Sequence, residues 1–120
     1  MKVEPRLIFR TLEELLDVNS VSVKYDDTYD SIEMLDGNIK PSLEDFKSKY
    51  EELKNVTIPF ETLRMERNVK LSNSDWTINN DSPLSQEKIE EWKVYRQALR
   101  DLPANTTDPE NPVWPQAPTP

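Results

Sequence analysis

Histidine and cysteine are both absent from the 120 residues, and glycine occurs only once. Without imidazole or thiolate side chains, the chain lacks the usual zinc ligands, disulfide bonds and histidine-activated nucleophiles. A single glycine also argues against phosphate-binding loops, whose backbone must approach the ligand without a Cβ in the way. The sequence therefore predicts no catalytic residue, no metal site and no cofactor.

Basic side chains are in the minority, with 15 Lys and Arg against 23 Asp and Glu and a formal net charge of −8. Nucleic acid is thus a poor partner, because binding to phosphates depends on an excess of cationic side chains. Long apolar runs are missing as well, so we expect neither a secretory signal nor a membrane partner, and a cytoplasmic location.

Apolar residues make up only 35% of the chain, which is little for a packed globule. Three Trp, four Tyr and three Phe still permit a modest core, since each aromatic ring buries a large area. We expect an α+β fold with a small antiparallel sheet, helices and extended parts. Its regions are a small α+β region at 1–58, a helical hairpin at 59–103 and a proline-rich extended tail at 104–120.

Two helices are predicted in the first region. Thr11 followed by Glu14 has the pattern of a capping box, which predicts a short helix over 11–17. Ser42 precedes a run with apolar residues on one helical face, which predicts a second helix over 42–54.

Between these helices the pattern changes to period two. Alternating apolar residues at 21–25 and 29–34 predict two antiparallel strands. Asp36 and Gly37 then form a strong turn signal, because both tolerate positive φ. We expect a short third strand to begin at Ile39.

The pattern of the second half predicts a helical hairpin. Pro59 is expected to interrupt the chain before a helix over 60–71, and Ser85 to cap another that ends near Leu102. Trp76 lies in the turn-rich connection between them and is expected to plug the helix junction. The predicted centre of the hairpin core consists of Trp76, Trp92, Tyr95 and Leu99.

Four arginines on these helices are candidate partner-binding residues: Arg64, Arg67, Arg96 and Arg100. Two interpretations are open. The guanidinium groups either pair with acidic residues of their own helix or reach across the hairpin to Asp75, Asp81 or a partner's carboxylate, for which the planar fork is well suited.

Prolines recur every third residue in the tail, at Pro109, Pro112, Pro115 and Pro118. That spacing matches the three residues per turn of polyproline II and predicts a semi-rigid extended segment. Trp114 lies within it. Trp114, Pro112 and Pro115 are candidate partner-binding residues, because an exposed Trp on a pre-ordered backbone offers much burial for little entropy. The alternative is that Trp114 folds back on the helices.

The second half also carries a dense set of Trp, Arg and Asp residues at fixed spacing. They are Arg64, Arg67, Asn68, Leu71, Ser74-Asp75-Trp76-Thr77, Asp81, Leu84, Trp92, Tyr95 to Pro103 and Pro112-Val113-Trp114-Pro115. With this set, residues 64–115 resemble the phage tail assembly chaperone family. One departure is Val69-Lys70, where the family has a more apolar pair. The resemblance implies a tailed-phage protein that assists assembly of the tail or tail fibres by binding a tail or fibre subunit.

Three roles stay open at this point. The chain is a chaperone in the host cytoplasm that leaves after assembly, a minor structural component that stays in the virion tail, or a host-directed regulator acting through its acidic N-terminal half. A permanent subunit requires a large apolar interface, so the low apolar content favours the chaperone. The oligomeric state is not predicted.

Overall fold

The computed structural model describes residues 1–119, and the fold is α+β as predicted. The chain divides into two compact units, Met1–Ile58 and the part from Pro59 onward. The elements in chain order are α1 (Pro5–Leu16), β1 (Val23–Lys24), β2 (Glu33–Met34), α2 (Leu43–Glu52), a π-helical segment (Leu53–Thr57), α3 (Ile58–Ser74), a 3₁₀ turn (Asp75–Ile78) and α4 (Gln86–Asn105).

The N-terminal unit is built around aromatic residues of α2. Phe46 is fully buried and lies between two tyrosines, with ring centroids 5.3 Å from Tyr29 and 5.9 Å from Tyr50. The Tyr50 hydroxyl accepts a 2.9 Å hydrogen bond from the backbone N–H of Glu4, just before α1. The apolar face of α1 completes this core with Leu7, Ile8 and Leu12.

Helix α1 begins six residues earlier than the capping box predicts. Pro5 occupies its start, where the fixed φ of proline is favourable and its missing N–H costs little. Thr11 is therefore not a cap. It lies buried inside the helix, and its hydroxyl donates a 2.6 Å hydrogen bond to the carbonyl of Leu7, one turn back.

The sheet is antiparallel but shorter than predicted, with Val23 opposite Met34 and Lys24 opposite Glu33. Ile39 does not begin a strand; its side chain lies in a loop and is 85% exposed.

The turn after β2 depends on Asp36 and Gly37. The Asp36 carboxylate accepts hydrogen bonds from the backbone N–H groups of Ser22 and Asn38, and these bonds hold the pKa of Asp36 below its usual value. Gly37 has a φ of 82°, in the region that residues with a Cβ avoid.

Replacing Gly37 with Ala is expected to destabilise the N-terminal unit by about 1 kcal/mol, because an L-residue at this φ is strained. A Cβ at this position meets no atom within 4 Å, so the cost is purely conformational. Gly37→Asn is the matched control, since Asn tolerates the left-handed region better. Denaturant unfolding followed by circular dichroism measures both variants. An Ala variant as stable as wild type contradicts this turn geometry.

Helix α2 begins at the predicted cap, where the Ser42 hydroxyl accepts a 3.2 Å hydrogen bond from the Asp45 N–H. The prediction that Pro59 interrupts the helical backbone is wrong. Helical backbone continues into α3 because a π turn, in which the N–H of Ile58 bonds to the carbonyl of Leu53, precedes the proline. Such a wider turn relieves the clash between a proline ring and the preceding carbonyls.

The C-terminal unit contains most of α3, the 3₁₀ turn and α4. Ser85 caps α4, as predicted, by accepting a 3.2 Å hydrogen bond from the N–H of Lys88. The helix continues through Pro103 to Asn105, three residues beyond the predicted end, because a proline in the last turn removes only one of the final hydrogen bonds. In the part of the chain that the structure describes, no helix is long and apolar enough to cross a membrane.

Candidate partner-binding site

The C-terminal end of α3 is closed by Arg96, which reaches across from α4. Its Nη1 donates 2.6 Å hydrogen bonds to the carbonyl oxygen of Leu71 and to Oγ of Ser74, and its Nη2 donates to Oδ1 of Asp75 at 2.7 Å. The last carbonyl groups of a helix lack partners within it and carry the negative end of its dipole. Arg96 therefore caps α3 from the neighbouring helix.

This placement decides between the two interpretations of Arg96. The guanidinium reaches from α4 to Asp75 in the 3₁₀ turn and does not pair within its own helix. The residue is only 5% exposed, so its prediction as a partner-binding residue is corrected: Arg96 is structural. The Arg96 guanidinium can be buried because three acceptors, on Leu71, Ser74 and Asp75, take hydrogen bonds from its planar fork.

The 3₁₀ turn after α3 carries the next two contacts. Thr77 is fully buried, and its hydroxyl donates a 2.6 Å hydrogen bond to the carbonyl of Ser74. The Trp76 ring lies 6.3 Å from that of Trp92, yet Trp76 is 45% exposed. The prediction that Trp76 lies in the core is therefore wrong. The Trp76 ring packs against that of Trp92 with the two planes tilted at 53°, and nearly half of the residue remains at the surface.

The core of this unit is formed by one stripe of α4, with Trp92, Tyr95 and Leu99 buried together. Trp92 and Tyr95 meet edge to face, with centroids 5.6 Å apart and planes at 85°. The partly buried residues that pack against this stripe are Leu71, Leu84 and Trp114.

Trp114 folds back onto the helices, which answers the second open question. It packs against the α4 core, and the Lys70 ammonium lies 5.1 Å from the centroid of its ring, within the range of a cation–π interaction. The chain reverses after α4 in a turn organised by Asp108, whose carboxylate accepts hydrogen bonds from Glu110 and Asn111. Trp114 is thus an anchor that holds the tail to the unit.

Beyond this anchor, residues 115–119 lie alongside a second face of α4. A cavity of about 470 Å³ lies between them, and we call the face of α4 that lines it the α4 groove. The helical wall includes Val94 and Ala98, with Lys88 and Glu91 towards the N-terminal end of α4. These positions are three to four residues apart, so they share one face of the helix. Val94 is 71% exposed, which makes this wall an accessible apolar surface.

The other predicted partner-binding residues lie outside the buried core. The Arg64 guanidinium lies 5.5 Å from the centroid of the Phe60 ring, and Arg67 donates to the side-chain oxygen of Asn68 at 3.2 and 3.0 Å. Arg100 is exposed. The remaining two, Pro112 and Pro115, are half-buried.

Sequence reasoning missed Val94, Ala98 and Lys70. The first two form a weaker apolar stripe beside the dominant one on α4, and their spacing was a usable signal. Lys70 has no such signal, because its contact with Trp114 depends on the path of the tail. Across residues 1–119, no three acidic side chains are grouped so that they can hold a metal ion.

The run Ser74-Asp75-Trp76-Thr77 is explained by its contacts at the end of α3. Ser74 and Asp75 accept hydrogen bonds from Arg96, Trp76 packs against Trp92, and Thr77 donates a hydrogen bond to the carbonyl of Ser74. Residues of α3, the 3₁₀ turn and α4 therefore form one connected set of contacts.

The family model of the phage tail assembly chaperone protein matches residues 60–119, which are half of the chain and fall within the C-terminal unit. The chain belongs to this family, and its role therefore lies in the assembly of a bacteriophage tail. No curated protein and no solved structure matches the chain.

Proposed function

We propose that this chain binds a tail or tail-fibre subunit during assembly, in the host cytoplasm, and acts without catalysing a reaction. The observation that carries the proposal is the α4 groove, which residues 115–119 cover only in part, which includes the exposed aliphatic side chain of Val94, and which lies in the region that the family model matches. Exposed apolar surface of this kind favours contact with another protein.

The size and composition of the surface favour a transient contact. An obligate interface buries on the order of 2,000 Å² or more and is rich in apolar residues. Only 35% of this chain is apolar, and much of that fraction is already committed to two small cores. We therefore favour a chaperone that holds a subunit and then leaves.

Charged and proline residues extend the proposed surface. Pro115 borders the groove, and Pro112 is half-buried just before Trp114. The partly or fully exposed guanidinium groups of Arg64, Arg67 and Arg100 offer bidentate donors to carboxylates of the partner. Such contacts at the edge of an interface affect association rate and specificity more than affinity.

Replacing Val94 with Glu is expected to weaken binding to the tail subunit at least tenfold, because a carboxylate in the groove must be desolvated on binding. Val94 is already 71% exposed, so the melting temperature is expected to stay near that of wild type. The measurement is co-purification of tagged full-length chain with the phage's tail proteins, followed by titration of the captured subunit.

Gln97→Glu is the matched control for this experiment. It introduces the same charge on an exposed position of α4 that does not line the groove, and it is expected to bind within about twofold of wild type. Equal binding by both variants contradicts the proposed surface. Capture of a host protein in place of a tail protein supports the host-directed role instead.

A further inference from the structure

The segment after Trp114 runs antiparallel to α4. Pro115 lies near Ala98, and four residues later the hydroxyl of Thr119 accepts a 3.3 Å hydrogen bond from Nζ of Lys88. Ten helical residues span about 15 Å at 1.5 Å per residue, and four residues of polyproline II span about 12 Å. The two lengths agree, so the segment follows the helix in an extended conformation.

The two ends of this segment are held unequally. Trp114 packs on the core beneath Lys70, whereas Gln116, Ala117 and Thr119 are exposed. Among residues 115–119, the structure gives a side-chain hydrogen bond to α4 only at Thr119. The cavity of about 470 Å³ that remains beside α4 shows that the segment does not fill the groove.

We propose that the α4 groove is a binding site for an extended, proline-containing apolar segment of the partner, and that residues 115–119 occupy it until that segment displaces them. The partner chemistry follows from the present occupant, which is itself such a segment: Pro115, Ala117 and Pro118 are three of its five residues. Identifying the partner as a tail subunit rests on the proposed function.

Physical reasons support this choice of occupant. A proline-containing segment is already extended before binding, so it loses little conformational entropy in a groove. Val94 and Ala98 form the apolar part of the wall and suit apolar side chains, whereas Lys88 and Glu91 lie towards the N-terminal end of α4. Trp114 is expected to remain in place during the exchange because it is held by the α4 core and by Lys70.

Displacement has a quantitative consequence. A tethered segment competes at an effective concentration in the millimolar range. The apparent affinity for a partner falls in proportion to the fraction of molecules with an open groove. A groove that is open one-tenth of the time therefore binds about tenfold more weakly than an unoccupied one.

The first test uses the full chain with a nitroxide label on Gln116→Cys, an exposed position beside the α4 groove that keeps the Lys88–Thr119 hydrogen bond intact. Labelling is specific, because the natural chain contains no cysteine. The docked label broadens the backbone NMR signals of Val94 and Ala98, and the reduced label gives the reference spectrum. A synthetic peptide with the sequence of residues 112–119, at millimolar concentration, is expected to remove at least half of this broadening.

A control peptide carries Gly in place of the prolines at positions 112, 115 and 118, and it is expected to displace the label at least threefold less effectively. Unchanged broadening with the first peptide overturns the proposed exchange. Equal displacement by both peptides overturns the proposed partner chemistry. Neither outcome depends on the tail subunit, so this test is separate from that of the proposed function.

The second test uses the tail subunit captured by co-purification. The double variant Ala117→Gly/Pro118→Gly loosens the segment in the full chain and is expected to bind the subunit three- to tenfold more tightly than wild type. Unchanged or weaker binding overturns the proposal, since it means that residues 115–119 either do not compete or form part of the interface.

Discussion

Replacing Arg96 with Ala is expected to lower the free energy of unfolding of the C-terminal unit by about 2–4 kcal/mol. The variant loses hydrogen bonds to Leu71, Ser74 and Asp75, and it leaves the Leu71 carbonyl at the end of α3 without its donor. Asp75 is itself exposed, with 61% of its side chain accessible. Its charge returns to water at little cost, and the expected loss therefore comes mainly from the capping bonds.

Tryptophan fluorescence measures this effect in the intact chain, because all three tryptophans, Trp76, Trp92 and Trp114, lie in the C-terminal unit. For a unit of this size, the expected loss corresponds to a decrease in melting temperature of roughly 10–20 °C. Arg100→Ala is the matched control: the same residue type is exposed on the same helix, and its expected effect is within about 0.5 kcal/mol. Similar melting of both variants contradicts the capping role of Arg96.

Replacing Trp92 with Ala is expected to cost about 3–5 kcal/mol, the usual range for removing a large aromatic side chain from a core. Trp92 contacts both Trp76 and Tyr95, so its removal opens a cavity in the centre of the cluster. Thermal unfolding followed by circular dichroism measures the change without depending on the deleted fluorophore.

Trp76→Ala serves as the comparison, because it removes the same side chain from a position that is 45% exposed. Its expected cost is about 1–2 kcal/mol, in line with partial burial. If the two substitutions cost the same, or if Trp92→Ala leaves melting unchanged, the arrangement of this core is wrong.

The α4 core was predictable because apolar side chains at helical spacing on a capped helix have few alternative placements. Trp92, Tyr95 and Leu99 follow this pattern and are buried together. Trp76 shows the limit of the argument. A large apolar side chain in a turn has no periodicity, so its sequence position does not say which part of its ring faces the protein.

Arg96 illustrates a different limit. Arg96 and Arg100 are four residues apart and therefore lie one turn apart on the same side of α4. Arg96 is nevertheless buried, whereas Arg100 is exposed. Which one becomes the cap depends on where α3 ends relative to α4, and that is a tertiary property. The contact with Asp75 was one of the pairings open from the sequence, whereas the bonds to Leu71 and Ser74 were not foreseen.

The proline tail was only partly predictable. Its three-residue spacing indicates an extended backbone, but not where that backbone lies. The Lys70–Trp114 contact and the hydrogen bond between Lys88 and Thr119 arise from the reversal around Asp108. This reversal places the extended segment beside α4, where it borders the α4 groove.

Pro59 and Thr11 show how local signals are overridden. The first is accommodated by a π turn, and the second lies inside a helix that starts earlier at Pro5. The early start of α1 buries Leu7 and Ile8 in the core around Phe46, and such packing supplies more free energy than a single cap.

Quantitative mass spectrometry of purified virions and of infected-cell lysate, from the phage that encodes this chain, tests the central claim most directly. A chaperone that binds a tail or fibre subunit and then leaves predicts that the chain is abundant in lysate, co-purifies there with that subunit and is absent from virions. A fixed stoichiometric amount in virions contradicts this account and identifies the chain as a structural component of the tail.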